Sequence, residues 1–137
     1  LVVAQVVLAA LIVLMGEPPW RAGWGWGLSV AGLVFGSWAL VTMGSRQITA
    51  MPTPRAGAQL LRHGPYRYVR HPMYTSLILL TLGFVVVRPT PYLIAAQACL
   101  IVVLWLKSRE EEKILREIFS GYSEYARTTK RFVPYVF

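Results

Sequence analysis

Residues 64–74 read GPYRYVRHPMY and place three tyrosines, two arginines, a histidine and two prolines directly ahead of an apolar run. Pro72 suits the first turn of a helix, where its missing N–H costs nothing, and this makes His71 the N-cap. The free amides of that helix start then face whatever lies beside them. His71 and Tyr74 are three residues apart and share a helical face. A cationic loop, a helix N-terminus and two polar rings suit an anionic or carboxylate-bearing small molecule. The same composition also fits an interfacial anchor, with tyrosines at headgroup level and arginines on the cytoplasmic side.

A second group stands at Arg109, Glu110, Glu111 and Glu112, which holds half of the six acidic residues of the chain. On a helix, Glu112 can pair with Arg116, and Lys113 with Glu117, at four-residue spacing. Glu110 and Glu111 have no basic residue four positions ahead. A solvated helix face accounts for the first pairings. If this helix lies beside the one that starts at Pro72, the acids meet the cationic loop. Together the two groups would hold a zwitterion, its ammonium on the glutamates and its carboxylate on the arginine and amide side.

The elements that must position these groups follow from composition. Of 137 residues, 55% are hydrophobic and 15% are charged, and mean hydropathy is +0.50. Soluble domains carry about a quarter charged residues. The apolar residues fall in blocks, so we expect an all-α integral membrane protein with about four transmembrane helices, at 1–15, 24–43, 73–87 and 92–106. The whole chain, 1–137, reads as one domain. Fifteen residues reach about 22 Å, short of the roughly 30 Å hydrocarbon core; a first span truncated at the chain start would account for this. No charged leader precedes the first run, so no removed signal peptide is expected. Residues 16–23 form a turn rich in proline and glycine, with Trp20, Trp24 and Trp26 at a membrane boundary. Ser29, Gly32, Gly36 and Ala39 give the second span one face of small residues, suited to close helix packing and most simply packing within the chain. The last two spans form a C-terminal hairpin whose second helix runs on to about residue 119 in the cytoplasm. Gly121 is expected to cap it, and a short helix is expected over 123–129. Residues 131–137 should fold back on the membrane surface or the protein, and Met51 to Pro54 should be irregular.

Net charge is +8, from 14 basic and 6 acidic residues. The basic residues lie between apolar runs, which reads as topology signal and contact with anionic lipid headgroups rather than nucleic acid. Residues 44–71 hold Arg46, Arg55, Arg62, Arg67 and Arg70 and no acid, whereas the opposite loops hold Glu17, Arg21 and Arg88. The positive-inside rule therefore predicts a multi-pass protein with this connection and the C-terminus in the cytoplasm. The single cysteine, Cys99, sits in an apolar run. No metal is expected, and composition does not fix the oligomeric state.

GPYRYVRHPMY, a helical hairpin, and then REEEKILREIFSGYSEYARTTKRFVP together resemble the isoprenylcysteine carboxyl methyltransferase family, one of a wider set of membrane methyltransferases that includes phospholipid methyltransferases. The resemblance covers roughly residues 61–134. His71, Pro72 and Tyr74 match its first motif and Arg109, Glu111 and Glu112 its second; Tyr122, Tyr125, Arg127 and Arg131 match the tail more loosely. His63 departs from the family pattern, which has a small hydroxyl residue there, and Thr128-Thr129 replaces a more basic run. The resemblance implies S-adenosyl-L-methionine as methyl donor and a lipophilic or lipid-anchored acceptor entering from the bilayer. Arg70, His71, Pro72, Tyr74, Glu111 and Glu112 are then the expected donor-binding residues. Arg109 or Arg127 would orient an acidic acceptor, and Tyr74 would shape the sulfonium pocket. A membrane reductase using NADPH and a non-catalytic membrane subunit are the alternative readings.

Overall fold

Breakers and caps set the helices. In the computed structural model, which describes residues 1–21, 23–44 and 60–134, α1 is Val2–Met15, α2 Gly23–Met43, α3 Pro72–Val87, α4 Pro91–Ile118 and α5 Tyr122–Thr128. Proline opens both α3 and α4, behind His71 and Thr90 as N-caps. The described residues are otherwise turns and 3₁₀ segments, with no strand beyond an isolated bridge. The stretch 51–54, Arg46, Arg55 and residues 135–137 lie outside the described residues.

The helix expectations hold to within a residue or two, with one correction at Gly121. It does not cap α4, which ends at Ile118 with an extended Phe119. Instead Gly121 is the N-cap of α5, at φ −85°. Its carbonyl accepts a hydrogen bond of 2.8 Å from Arg62, so a contact from the 60–71 loop shapes the turn.

α2 packs against α3 through small residues. The buried positions of α2 are Gly25, Ser29, Gly32, Gly36 and Ala39, and Ser29 donates to the Leu80 carbonyl at 3.1 Å. A Cβ on Gly32 would lie 2.7 Å from both the Leu80 nitrogen and the Ser76 oxygen, so only glycine allows this approach. The small-residue face is therefore satisfied within the chain, as expected from its spacing. At the end of α2, Gly64 has φ +60° and would meet Thr42 with any side chain; this seats the following loop on the helix.

α1 crosses α4, with Lys107 donating to Gln5 at 3.1 Å. Ile12, Leu93, Leu100 and Leu104 are fully buried between the helices. The outer faces are apolar: Val3, Leu14, Val34, Val41, Ile94 and Val102 are all more than half exposed. α2 and α4 are long and apolar enough to cross a membrane, while α1 and α3 are shorter apolar helices. At the far end Glu17 pairs with Arg21 at 2.8 Å and with Arg88 at 3.2 Å. That pairing places the α1–α2 and α3–α4 turns together, and the 64–74 loop falls at the opposite end.

Candidate functional site

Three segments meet where α4 leaves its apolar stretch: the 3₁₀ turn Gly64–Arg67 with the loop after it, α4 around Glu112, and residues 129–132. Backbone pairing holds the first and last side by side. Val69 and Lys130 form a parallel bridge, the Arg70 N–H donates to the Lys130 carbonyl at 2.8 Å, and the His71 N–H donates to the Arg131 carbonyl at 3.1 Å. Thr75 donates its hydroxyl to the Phe132 carbonyl at 2.7 Å. For the described part of the tail, the expected fold-back is thus onto the protein, with Phe132 buried against the His71 and Tyr74 rings.

Adjacent residues on a helix point about 100° apart, and Glu111 and Glu112 accordingly face different neighbours, sharing only His71 through its two ring nitrogens. The Glu112 side chain is only 3% exposed. One oxygen accepts from Arg70 Nε at 3.0 Å, Arg131 Nε at 3.0 Å and lies 3.2 Å from His71 Nε2. The other accepts from Arg131 Nη2 at 3.0 Å, with Arg116 at 3.8 Å. Burial opposes ionisation here. The hydrogen bonds from His71 and Arg131 and the charge on Arg70 outweigh it, holding the carboxyl well below the usual carboxylate range. Arg70 also donates to the carbonyls of Ala126 and Thr129. Glu112 and Arg70 therefore tie the three segments into one unit.

Glu111 faces Tyr74. The Tyr74 hydroxyl donates to it at 2.5 Å, and His71 Nδ1 lies 3.5 Å away. The His71 and Tyr74 rings stack, 5.3 Å apart and nearly parallel. Lys107 Nζ sits 5.1 Å from the centre of the Tyr74 ring and 4.0 Å from Glu111. Lys107 stands four residues before Glu111 on the same helical face, so the basic partner that Glu111 lacks ahead of it lies behind it. The Lys107 cation thus sits against the Tyr74 ring and near the Glu111 carboxylate, the setting that an ammonium or sulfonium prefers.

Around this core, Tyr125 donates its hydroxyl to the Tyr66 carbonyl at 2.6 Å. The hydroxyls of Tyr66 and Tyr122 are buried with no hydrogen-bond partner among the described residues. Burial pushes both phenols above their usual range and Tyr125 up to about 12, so all three are neutral at physiological pH.

The structure brings together Arg70, His71, Pro72, Tyr74, Glu111 and Glu112, and adds Lys107, Arg131 and Phe132. It leaves Arg109 and Arg127 on the exposed surface: Arg109 lies over the Trp105 ring at 4.8 Å. Glu110 pairs with Lys113 at 2.8 Å; the expected Lys113–Glu117 pairing does not form, because the three-residue spacing puts Glu110 on the same face. Among the described residues no group of three or more His, Cys, Asp or Glu is placed to hold a metal ion.

Comparison with known proteins places this arrangement. The chain is 30% identical over 134 residues to the cobalt-zinc-cadmium resistance protein CzcN of Cupriavidus metallidurans, and 29% identical over 136 residues to the nickel-cobalt-cadmium resistance protein NccN of Alcaligenes xylosoxydans xylosoxydans. Each alignment takes in 97% of this chain but only 61% and 62% of those relatives, so the chain spans about three fifths of their length. The phospholipid methyltransferase family model matches residues 20–121. That match runs through α2, the RHP-x-Y loop, the hairpin and the glutamates of α4, and the chain belongs to the phospholipid methyltransferase family, within the isoprenylcysteine carboxyl methyltransferase-like group.

Proposed function

We propose that this chain is an integral membrane methyltransferase that takes its methyl group from S-adenosyl-L-methionine and delivers it to a lipophilic acceptor. The family and the two long apolar helices fit a membrane methyltransferase. In this reading all four apolar helices cross the bilayer and the His71–Glu111 end faces the cytoplasm. The observation that carries it is Tyr74, stacked on His71, bonded to Glu111 and already facing the Lys107 ammonium. Those residues fit a donor bearing both a sulfonium and an ammonium.

When bound, the donor supplies an electrophilic methyl: an acceptor lone pair forms the new bond to carbon as the carbon–sulfur bond breaks and its electron pair stays on sulfur. A carboxylate or thiolate acceptor loses no proton, and an amine must be neutral when it attacks. The protein then needs no catalytic base; it must align and enclose the reactants, which contributes several kcal/mol. Glu111 is assigned the donor's amino group or ribose and Tyr74 the wall beside the sulfonium. Arg70, His71 and the start of α3 at Pro72 form the carboxylate side. Glu112 holds that side in place. Arg109 and Arg127, both exposed, are left to orient an acidic acceptor at the membrane surface. The apolar flanks favour a lipophilic acceptor; the names of the two relatives concern metal resistance and specify none.

The test is calorimetric titration of the detergent-solubilised chain with S-adenosylhomocysteine. One saturable site is expected, weakened tenfold or more in Glu111→Gln, the loss typical of a hydrogen bond to a charged group. No binding by protein that still melts cooperatively would overturn the reading. Binding of NADPH instead would favour a reductase.

A further inference from the structure

Beside the 3₁₀ turn, an open cleft of about 430 Å³ is lined by Arg67, Tyr68, Thr128 and Lys130. Two of the described residues that line it are cations and none is an acid. Among the described residues, neither Arg67 nor Lys130 has a carboxylate within ion-pair distance, whereas Arg70 and Arg131 next to them are both paired with Glu112. The main chain sets this arrangement. The Val69–Lys130 bridge and the bond from the Arg70 N–H to the Lys130 carbonyl fix the two cationic segments side by side. Like charges held on one cleft repel each other, and a bound anion removes that cost.

A second observation concerns the rim. Tyr68 leans on Trp38 of α2, with ring centroids 6.4 Å apart. Trp38 is 45% exposed and Val41, nearby on the same helix, is 81% exposed. The cationic cleft therefore continues into an apolar flank. Cations, a tyrosine hydroxyl and exposed tryptophan in sequence are the layers of a bilayer interface.

The geometry points to a binding site for the phosphate of a membrane lipid headgroup, with Arg67 and Lys130 on the phosphate oxygens, the Tyr68 hydroxyl donating to it and the acyl chains along Trp38 and Val41. The site is separate from the Tyr74–Glu111 cluster and does not depend on the methyl-transfer reading.

Native mass spectrometry of the full chain in detergent, titrated with phosphatidylglycerol, tests it. The controls are a galactosyl diacylglycerol, which lacks phosphate, and glycerol phosphate, which lacks acyl chains. Phosphatidylglycerol should fill one saturable site, and the double variant Arg67→Gln/Lys130→Gln should bind it about tenfold more weakly. Arg67→Lys, which keeps the charge, should retain binding, and the apparent Tm of all variants should stay near that of the parent. Equal affinity in the double variant, or equal binding of the galactolipid, would overturn the site. Glycerol phosphate competing as well as the lipid would overturn the lipid occupant and reassign the cleft to free phosphate.

Discussion

Glu111 and Glu112 are neighbours in sequence with opposite duties, and their substitution should separate stability from binding. Glu112 is buried among Arg70, His71 and Arg131, with Arg116 further out. Removing one partner of such a group leaves the others buried and unpaired, so Glu112→Ala should cost about 3–5 kcal/mol. Glu110→Gln, which breaks only the exposed pair with Lys113, should stay within about 0.5 kcal/mol. Thermal melts of the two variants in detergent check this. The sign of the pH effect follows from the direction of the shift. The folded state holds the Glu112 carboxyl below its ordinary value of 4.5, so protonation favours the unfolded chain. The contribution is fully present above about pH 4.5 and fades as pH falls below it. The gap in Tm between the parent and Glu112→Gln should therefore narrow between about pH 4.5 and pH 3; a gap unchanged across that window would show that the carboxylate is not the stabilising species.

At the scale of elements, the α2–α3 contact is the most sequence-determined feature of the fold. Gly32 faces the backbone of α3, whereas a Cβ on Gly27 of the same helix would meet nothing within 4 Å. Gly32→Val should force the helices apart and cost about 1–3 kcal/mol or more, while Gly27→Ala should stay within about 0.5 kcal/mol. Melting curves of the pair distinguish packing from helix propensity, since both replace a helical glycine. The same face shows what could be read in advance. Small residues at Ser29, Gly32, Gly36 and Ala39 announce a close helix contact, and Pro72 and Pro91 announce helix starts, because each acts through local backbone geometry. Gly121 misled for the complementary reason: its turn is set by Arg62, 59 residues away, and nothing local encodes that bond. Glu112 was legible as a candidate site residue but not as the tie between three segments, because Arg70 and Arg131 are brought side by side by the pairing of residues 69 and 130, which lie far apart in sequence.

Across the whole molecule, charge is sorted by end. Within residues 1–43 and 72–106 the charged side chains are Glu17, Arg21 and Arg88, and they cluster on one another at one end of the helices. The rest fall in residues 44–71 or after residue 106, and those among the described residues lie on the side of His71 and Glu112. This sorting was readable directly, since it needs only the alternation of apolar runs and loops; the meeting of α1 with α4 through Gln5 and Lys107 was not. A bilayer between the two ends is the placement proposed above, and the lengths of the short helices bear on it directly. α1 has 14 residues and α3 has 16, which reach about 21 and 24 Å against a hydrocarbon core of roughly 30 Å. Short helices inside a bundle can be covered by local thinning and by their longer neighbours α2 and α4, at fractions of a kcal/mol per Å. Crossing of all four then predicts that Trp20 and Ser123 lie on opposite sides of the membrane. In a Cys99→Ala background, Trp20→Cys should react with an impermeant maleimide on right-side-out vesicles, and Ser123→Cys only on inverted ones. Both positions are exposed, so a failure to label cannot be assigned to burial. Labelling of both from one face would make α3, the short helix among the three between these positions, one that enters without crossing, and the proposed active end would then have to be sought on the side where Ser123 reacts.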